Sequence, residues 1–527
     1  MSGGDSSQHN PVLLNTFIIK RKKCRVYFHR GILTWETDGS PYSQQTLLMK
    51  DVLAVDYVHN ADKSVCCPVV EQQEGNKNDT DVPTQPSHHT SLIIHYAAKG
   101  TKNTWRCQNV ILNHTDTRQI ASWVKTMRNY LNGSSKHPKR VMVFVNPYGG
   151  KKKGLKIFEK QVKPLFLLTG IKTNVMITQG PKHAQDTLLH CSLEDIDAVV
   201  CVGGDGTFAE VFNGLVLRTA KDKGIDYNDP DAKLPSPFLP VGVIPSGSTD
   251  TMAYCFHGTT DVQTAVIHII FGDTVGLDLC SIHSNAMLLG FYSSVISYGY
   301  LGDVIRDSEK FRWMGPRRYD YSGFKKFFAN KGYEGEVSLR KASCDPAKGP
   351  KCCKKCERCE LEQEKNKTSS TSVTEDWKTF RGRYFMVNGV NVCCACERSP
   401  NGISPYAHLG DGCIDVLLIR HTHVVNNLRL LLTLTSKRKT VFDLPFVEVH
   451  RARELTFRAL PTTVSSPQME RYTPQLIPGK SVWNCDGEVQ NETDIRIRVH
   501  CQLLKIFTRG RENFAEEECA CGCLGST

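Results

Sequence analysis

Three times between residues 141 and 250, an apolar run ends in a glycine-bearing turn. The first run is Val141-Met-Val-Phe-Val145, and Asn146-Pro-Tyr-Gly-Gly150 follows it, with a helical stretch from Lys156 to Leu168. The second is Ala198-Val-Val-Cys-Val202, followed by Gly203-Gly-Asp-Gly206 and a helix from Thr207 to Leu217. The third is Pro240-Val-Gly-Val-Ile244, followed by Pro245-Ser-Gly-Ser-Thr-Asp250. Strands that are apolar throughout are buried on both faces, as in a parallel sheet covered by helices. A strand at Thr173-Asn-Val-Met-Ile177 and helices at His183 to His190 and Asp261 to Phe271 extend the alternation. The expectation is an α/β parallel sheet that carries glycine turns at the carboxyl ends of its strands, where such sheets bind ligands.

The turns suit a phosphate-bearing ligand. Gly203, Gly204 and Gly206 let the backbone approach a phosphate, and a helix N-terminus adds unpaired amides. Lys151, Lys152, Lys153 and Lys156 stand beside the first turn. Asp205 is a carboxylate beside this anion site, a placement that suits a general base for phosphoryl transfer. The alternative is an N-cap for its own helix. Leu155 follows Gly154 where a Walker A loop needs Lys, and no Gly-x-Gly-x-x-Gly, His-Arg-Asp or Asp-Phe-Gly set is present. P-loop NTPases, Rossmann dehydrogenases and protein kinases are therefore not supported.

The chain has 527 residues, enough for about three domains. Residues 12–133 show short strand-like runs (Thr16 to Ile19, Val26 to Phe28, Gly31 to Trp35, Val52 to Val55, Leu92 to Tyr96), a polar loop from Gln72 to His89, and one closing helix, Asp116 to Leu131. Ile120, Trp123, Val124, Met127 and Leu131 give that helix an apolar face. This segment resembles a pleckstrin-homology domain, a β-barrel with a C-terminal helix. That resemblance implies that the basic hairpin Lys20-Arg-Lys-Lys-Cys-Arg25 binds phosphoinositide headgroups at a membrane surface; the alternative is a solvated hairpin. A linker rich in Gly, Ser and Pro leads to the α/β segment, residues 139–280. Residues 281–510 read as mainly β, with runs such as Ile414 to Ile419 and Ile495 to Val499. A Lys-, Cys- and Glu-rich insertion at 342–376 reads as mobile, and Leu460 to Gly479 reads as a loop.

Lys plus Arg is 66 and Asp plus Glu is 54, a formal charge of +12 that suits anionic partners. No zinc-finger, RNP or helix-turn-helix pattern accompanies it, so nucleic acid is not expected as a partner. The N-terminus lacks a signal-peptide h-region, Ser2 fails the myristoylation pattern, Cys523 is not a CaaX site, and no run approaches 18 apolar residues. The reading is a cytoplasmic chain with reduced thiols, so its 22 cysteines are not a disulfide framework. Cys352, Cys353, Cys356 and Cys359 lie in the insertion, with Cys393, Cys394 and Cys396 beyond it. Metal ligation, fold-critical free thiols and no special role all remain open for them. The tail cysteines Cys519, Cys521 and Cys523 suit palmitoylation or a frayed end.

Asn146-Pro-Tyr-Gly-Gly, Gly203-Gly-Asp-Gly, Gly247-Ser-Thr and Asp486-Gly-Glu488, in this order and spacing, resemble the diacylglycerol/sphingosine/ceramide lipid kinase superfamily. Tyr298 to Lys310, Arg318-Tyr-Asp-Tyr-Ser-Gly323, the cysteine insertion, Cys394-Ala-Cys396, Trp483 to Glu488 and Gly-Ser-Thr-Asp at 247–250 resemble its ceramide kinases. The resemblance implies an α/β nucleotide domain with a β-sandwich lipid domain, ATP with Mg²⁺ as cofactors, and ceramide as substrate. It implies that Asp205, among Gly203, Gly204 and Gly206, deprotonates the lipid hydroxyl. It implies an ATP site of Asn146, Pro147, Tyr148, Thr178, Gln179, Gly180, Pro181, Lys182, Glu210, Gly247, Ser248 and Thr249. Arg312 and Arg318 would meet the phosphates, and Asp486, Gly487 and Glu488 would close the cleft. In sphingosine kinases an Asp lies near the substrate amine where Ile305 aligns, and an apolar residue fits ceramide's neutral amide. In ceramide kinases a C-x₃-C-x₂-C motif, matched by Cys352, Cys356 and Cys359, supports activity. The stretch Val424 to Lys439 resembles their Ca²⁺/calmodulin-binding region; the alternative is a helix packed on its sheet. Peripheral attachment at the Golgi or plasma membrane is implied as well. Kinases for sphingosine or diacylglycerol, and a non-catalytic lipid-binding relative, remain alternatives.

Overall fold

The computed structural model describes residues 12–37, 44–58, 90–134, 136–150, 152–315, 317–342, 351–352, 356–368, 377–396, 399, 401–436, 439–461 and 480–509, without the side chains of Ser134, Arg312 and residues 365–368. Lys151, the loop expected at 72–89, most of the loop expected at 460–479, Cys353 and the tail cysteines lie outside the described residues. The chain forms two compact units. One comprises Met1–Arg140, Lys156–Thr173 and Asp261–Asp273; the other comprises Val141–Leu155, Asn174–Thr260 and Thr274–Thr527.

In the first unit, seven antiparallel strands precede the helix Thr117–Ser134. Alternate strand residues, including Phe17, Val26, Phe28, Leu33, Leu92, Ile94 and Leu112, point into one core, as the two-residue period of a strand requires. Ile120, Trp123, Val124 and Met127 of the helix fill it, and Trp123 meets Phe17 edge-on at 4.9 Å between ring centres. Strands Leu13–Ile19 and Lys22–His29 pair so that Ile19 faces Lys22, which leaves Lys20 and Arg21 as a two-residue turn at φ 47° and 66°. Such turns match the twist of the flanking strands. The strand Trp105–Asn113 is not anticipated by the search for apolar runs, because Arg106, Gln108 and Asn109 interrupt it. It carries the contact to the helix Val262–Phe271. The Trp105 amide donates to Thr264 Oγ1 at 2.8 Å, and Arg106 pairs with Asp261 at 2.6 Å.

In the second unit the strands Val241–Pro245, Ala198–Gly203 and Arg140–Val145 are neighbours, followed by Lys172–Ile177. The first three run parallel, with Val199 opposite both Val241 and Met142. The strand Ile495–Phe507 extends this sheet: it pairs parallel with Val241–Pro245 at Ile506 and antiparallel with Thr274–Ser284 and Val447–Ala459. The α/β region and the mainly β region, which the sequence separates at 280, therefore share one sheet. Strand pairing between residues as far apart as Val241 and Ile506 leaves no local signal from which to read this. The run Ile414–Arg420 shows why its interior is apolar throughout. Val416 and Leu418 enter one core while Leu417 and Ile419 enter another.

The insertion expected to be mobile contains a helix, Glu357–Thr368. Its sequence has no apolar stripe, so the helical period is invisible there. Val424–Leu434 forms a helix as expected. No helix among the described residues is long and apolar enough to cross a membrane.

Trp123 is 1% exposed. Trp123→Ala is expected to remove about 3–5 kcal/mol from the stability of the N-terminal unit, read as an earlier thermal transition in calorimetry of the full chain.

Candidate active site

The three glycine turns meet. A Cβ on Gly247 would lie 2.7 Å from the Gly204 Cα, and one on Gly150, at φ 54°, would lie 2.5 Å from the Gly247 carbonyl carbon. Side chains at these positions would push the turns apart. Side-chain hydrogen bonds fix each turn. Asn146 Oδ1 accepts from the amides of Tyr148 (2.9 Å) and Gly149 (3.0 Å), while its Nδ2 donates to Thr207 Oγ1 at 2.9 Å. Asp250 Oδ1 accepts from the Gly247 amide at 2.8 Å. The Ser246 amide donates to the Gly203 carbonyl at 3.1 Å, which ties the second and third turns along the sheet.

Asp205 is the first residue of the helix Asp205–Asp222, and Gly204 is its N-cap. The carboxylate turns away from its own helix. It accepts from the amides of Thr251 (3.1 Å) and Met252 (2.9 Å), which open the helix Thr251–His257. The N-cap alternative from the sequence is therefore set aside, since Asp205 caps the neighbouring helix. The Thr251 side chain adds a further hydrogen bond to this carboxylate. Burial raises the Asp205 pKa above the ordinary carboxylate value; the two amides oppose this and the charge of Asp486 adds to it. A more basic carboxylate is the better proton acceptor. Asp250, given no role from sequence, is pushed up to about 6, first by burial and then by Asp205. Its signal was in the motif, an Asp three residues after the glycine whose amide it caps.

Other predicted residues gather around this centre. The Thr178 amide donates to the Val145 carbonyl at 2.9 Å, which sets Thr178, Gln179, Gly180, Pro181 and Lys182 beside the first turn. Glu210 accepts from the Ala184 amide at 3.2 Å. Glu488 lies near enough to Lys182 and Glu210 for their charges to act on it. Pro147 is half-buried, and Tyr148, Ser248 and Thr249 are exposed on their turns. Asp486 is different. Its oxygens accept from the amides of Ser293, Ser294 and Val295 and from the hydroxyls of Ser293 and Ser294. This carboxylate fastens one strand to another, and the exposed Gly487 and Glu488 follow it. Arg318 is turned to Glu309 (3.3 Å) and to the Tyr319 ring. The side chain of Arg312 lies outside the described residues.

His257 closes the helix that Asp205 caps. It is buried and hydrogen-bonded through Nε2 to the Val243 carbonyl at 3.3 Å, and burial lowers its pKa to about 4. It is therefore held neutral, and it ties this helix to the strand that leads into the third turn.

Comparison with known proteins adds three family matches and close relatives. Residues 13–127 match the ceramide kinase PH domain, residues 140–282 the diacylglycerol kinase catalytic domain, and residues 293–524 the ceramide kinase C-terminal domain. The ceramide kinase of Mus musculus is 34% identical over 94% of this chain and 97% of its own length. That of Homo sapiens is 38% identical over 80% of this chain and 83% of its own. Ceramide kinase 1 of Caenorhabditis elegans is 28% identical over 81% and 76%.

Two outcomes follow from the geometry. Gly247→Ala is expected to lower unfolding stability by about 1–3 kcal/mol through forced displacement of the Gly204 backbone. Gly206→Ala, where a Cβ meets nothing within 4 Å, should leave the thermal midpoint near that of the wild type. For His257, the unfolded chain takes up a proton near pH 6.5 while the folded chain resists until about 4. Its contribution is complete above pH 6.5 and is lost as pH falls toward 4. In His257→Gln, which keeps a donor for Val243, denaturant titrations should show a shallower loss of stability across that window.

Proposed function

The chain belongs to the ceramide kinase family, and from that premise we propose that its glycine-turn site transfers the γ-phosphoryl group of ATP to the primary hydroxyl of ceramide. The observation that carries this reading is the placement of Asp205. Its carboxylate is fixed by two amides beside turns whose backbones touch, with a raised pKa. In the proposed reaction an Asp205 oxygen takes the hydroxyl proton while the lipid oxygen bonds to the γ-phosphorus. The bond from that phosphorus to the bridging oxygen breaks, and ADP leaves with ceramide 1-phosphate as the product. Asn146 holds the first turn in shape, and the backbone of the three turns lies where it can approach the phosphates closely. Gln179, Lys182, Ser248 and Thr249 line the exposed side. Arg318 reaches a phosphate only by leaving Glu309.

The residues present fit Mg²⁺ carried with the nucleotide. Asp250 is a hard oxygen donor beside Gly247, and its pKa is raised first by burial and then by the charge of Asp205. When bound, the ion would supply positive charge against that of the nucleotide phosphates.

A neutral lipid amide is favoured over a cationic amine by the helix Tyr300–Ser308, which carries Ile305. Its acids are already paired: Asp303 with Arg306, Tyr333 and Ser481, and Asp307 with Lys325 and Lys326. None is spare for an ammonium group.

Membrane contact is supported twice. Lys20, Arg21, Lys22, Lys23 and Arg25 are exposed on the first hairpin, as a phosphoinositide site requires. Trp313, Phe324 and Phe328 are 82%, 68% and 60% exposed, an apolar surface suited to a lipid interface. The helix Val424–Leu434 buries Asn427 and Leu430 and exposes Val425, Leu428 and Leu432. One face packs as the bland reading expected, and the other suits either a membrane or calmodulin.

The test is a lipid panel with labelled ATP and the purified full chain. Ceramide should be the preferred acceptor, and Asp205→Asn should lower kcat by about 10²–10⁴ with nucleotide binding kept. Preference for sphingosine or diacylglycerol would overturn the substrate assignment. Near-normal turnover in folded Asp205→Asn would overturn the base, and nucleotide binding without turnover on any lipid would favour a non-catalytic relative.

A further inference from the structure

Four soft donors converge away from the glycine turns. Cys352, Cys356, Cys359 and His408 bring one ligand atom each within 4.8 Å of all the others. Cys356 Sγ lies 3.1 Å and Cys359 Sγ 3.8 Å from His408 Nδ1, and Cys352 Sγ lies 4.0 Å from Cys359 Sγ. Tetrahedral zinc with bonds of about 2.0–2.3 Å sets its ligand atoms about 3.5–3.8 Å apart. The observed separations bracket that range. His408 is 2% exposed, and its Nδ1 faces two thiols.

We propose that these four residues bind one structural zinc ion. Three thiolates and an imidazole are the soft, four-coordinate set that zinc takes in closed sites. All four positions are filled by protein, so no position is left for substrate, and the ion's part is to hold the chain.

The surroundings are built for that task. The Leu409 amide donates to Cys352 Sγ at 3.5 Å, the kind of outer contact that steadies a metal-bound sulfur. The Leu409 carbonyl accepts from the Asp278 amide at 2.7 Å, which fixes the loop that presents His408. Gln502 Nε2 donates to the carbonyls of Cys359 and Gly410, both at 2.8 Å. Arg358 pairs with Asp411 at 2.9 Å. The insertion is thus fastened to the 408–412 loop and to the strand Ile495–Phe507. Sequence reading found the three cysteines and missed the fourth ligand, because His408 is 49 residues beyond Cys359 and belongs to no finger spacing.

The test uses the full chain, purified reduced and without chelator, with metal counted by plasma mass spectrometry. About one zinc per chain is expected, released when an organomercurial blocks the thiols. Cys356→Ser and His408→Ala should fall at least about tenfold in zinc content. His408→Cys, which restores a fourth soft ligand, should keep the ion, as should Cys191→Ser outside the cluster. This rescue separates loss of a ligand from general misfolding. A reduced wild-type chain with no stoichiometric zinc, a different metal in its place, or full zinc in His408→Ala would overturn the proposal.

Discussion

Gly247 and Gly204 pass so closely that a single methyl group between them would meet backbone at 2.7 Å. That approach brings two strand ends together, and the rest of the site is arranged around it. Because the turns touch, the helix after the third turn starts beside the helix after the second. Its first amides then fall within reach of Asp205. The carboxylate is therefore positioned largely by main chain, with the Thr251 side chain adding one more bond, and this limits the entropy lost in orienting it.

Three aspartates near this point have distinct work, and their hydrogen bonds tell them apart. Asp486 accepts five bonds and has little capacity left for a ligand. Asp250 accepts from the backbone of its own turn, at Gly247 and Ser246, and so shapes that turn. Asp205 accepts from the amides of Thr251 and Met252 and from the Thr251 side chain, all at the start of the neighbouring helix, and this orients it. The same residue type acts here as a fastener, a turn cap and a candidate base. The identity of the protein donors (Ser293 to Val295, its own turn, or the next helix) separates these parts better than sequence position does.

The parallel strands were legible because burial on both faces leaves a continuous apolar run, and the glycine turns because backbone approach admits no substitute. Asp205 was legible by its place between glycines. Its partners were not, since backbone amides leave no mark on composition. The strand Trp105–Asn113 was hidden by outward-facing polar residues, and the helix Glu357–Thr368 by its lack of an apolar face. Asp486 was found as a motif, and its five hydrogen bonds to Ser293, Ser294 and Val295, which show it as a fastener as well, could not be read from it. Arg318 was read as a phosphate ligand, and the structure turns it to Glu309. In both cases the motif located the residue, but only the partners define its task.

The strand Ile495–Phe507 explains how the insertion and the glycine turns belong to one structure. Near its C-terminal end, Ile506 pairs with Val241, at the start of the strand that leads to Gly247. A few residues earlier, the Gln502 amide donates to Asp278 Oδ1 at 2.6 Å, where the ladder to Thr274–Ser284 shifts register. Gly412 donates to the other oxygen of Asp278, also at 2.6 Å. Asp278 is buried and its pKa is raised well above the usual value by that burial and by Asp411. A buried carboxyl group tolerates poorly any change that removes its donors. The loop bearing His408 supplies one donor, and the bulged strand supplies the others, the Gln502 amide and the Cys501 side chain. Displacement of that loop would leave Asp278 short of a partner, at the place where the two parts of the sheet are joined. The cysteine insertion is therefore coupled by position to the scaffold of the glycine turns, although none of its residues lies on them.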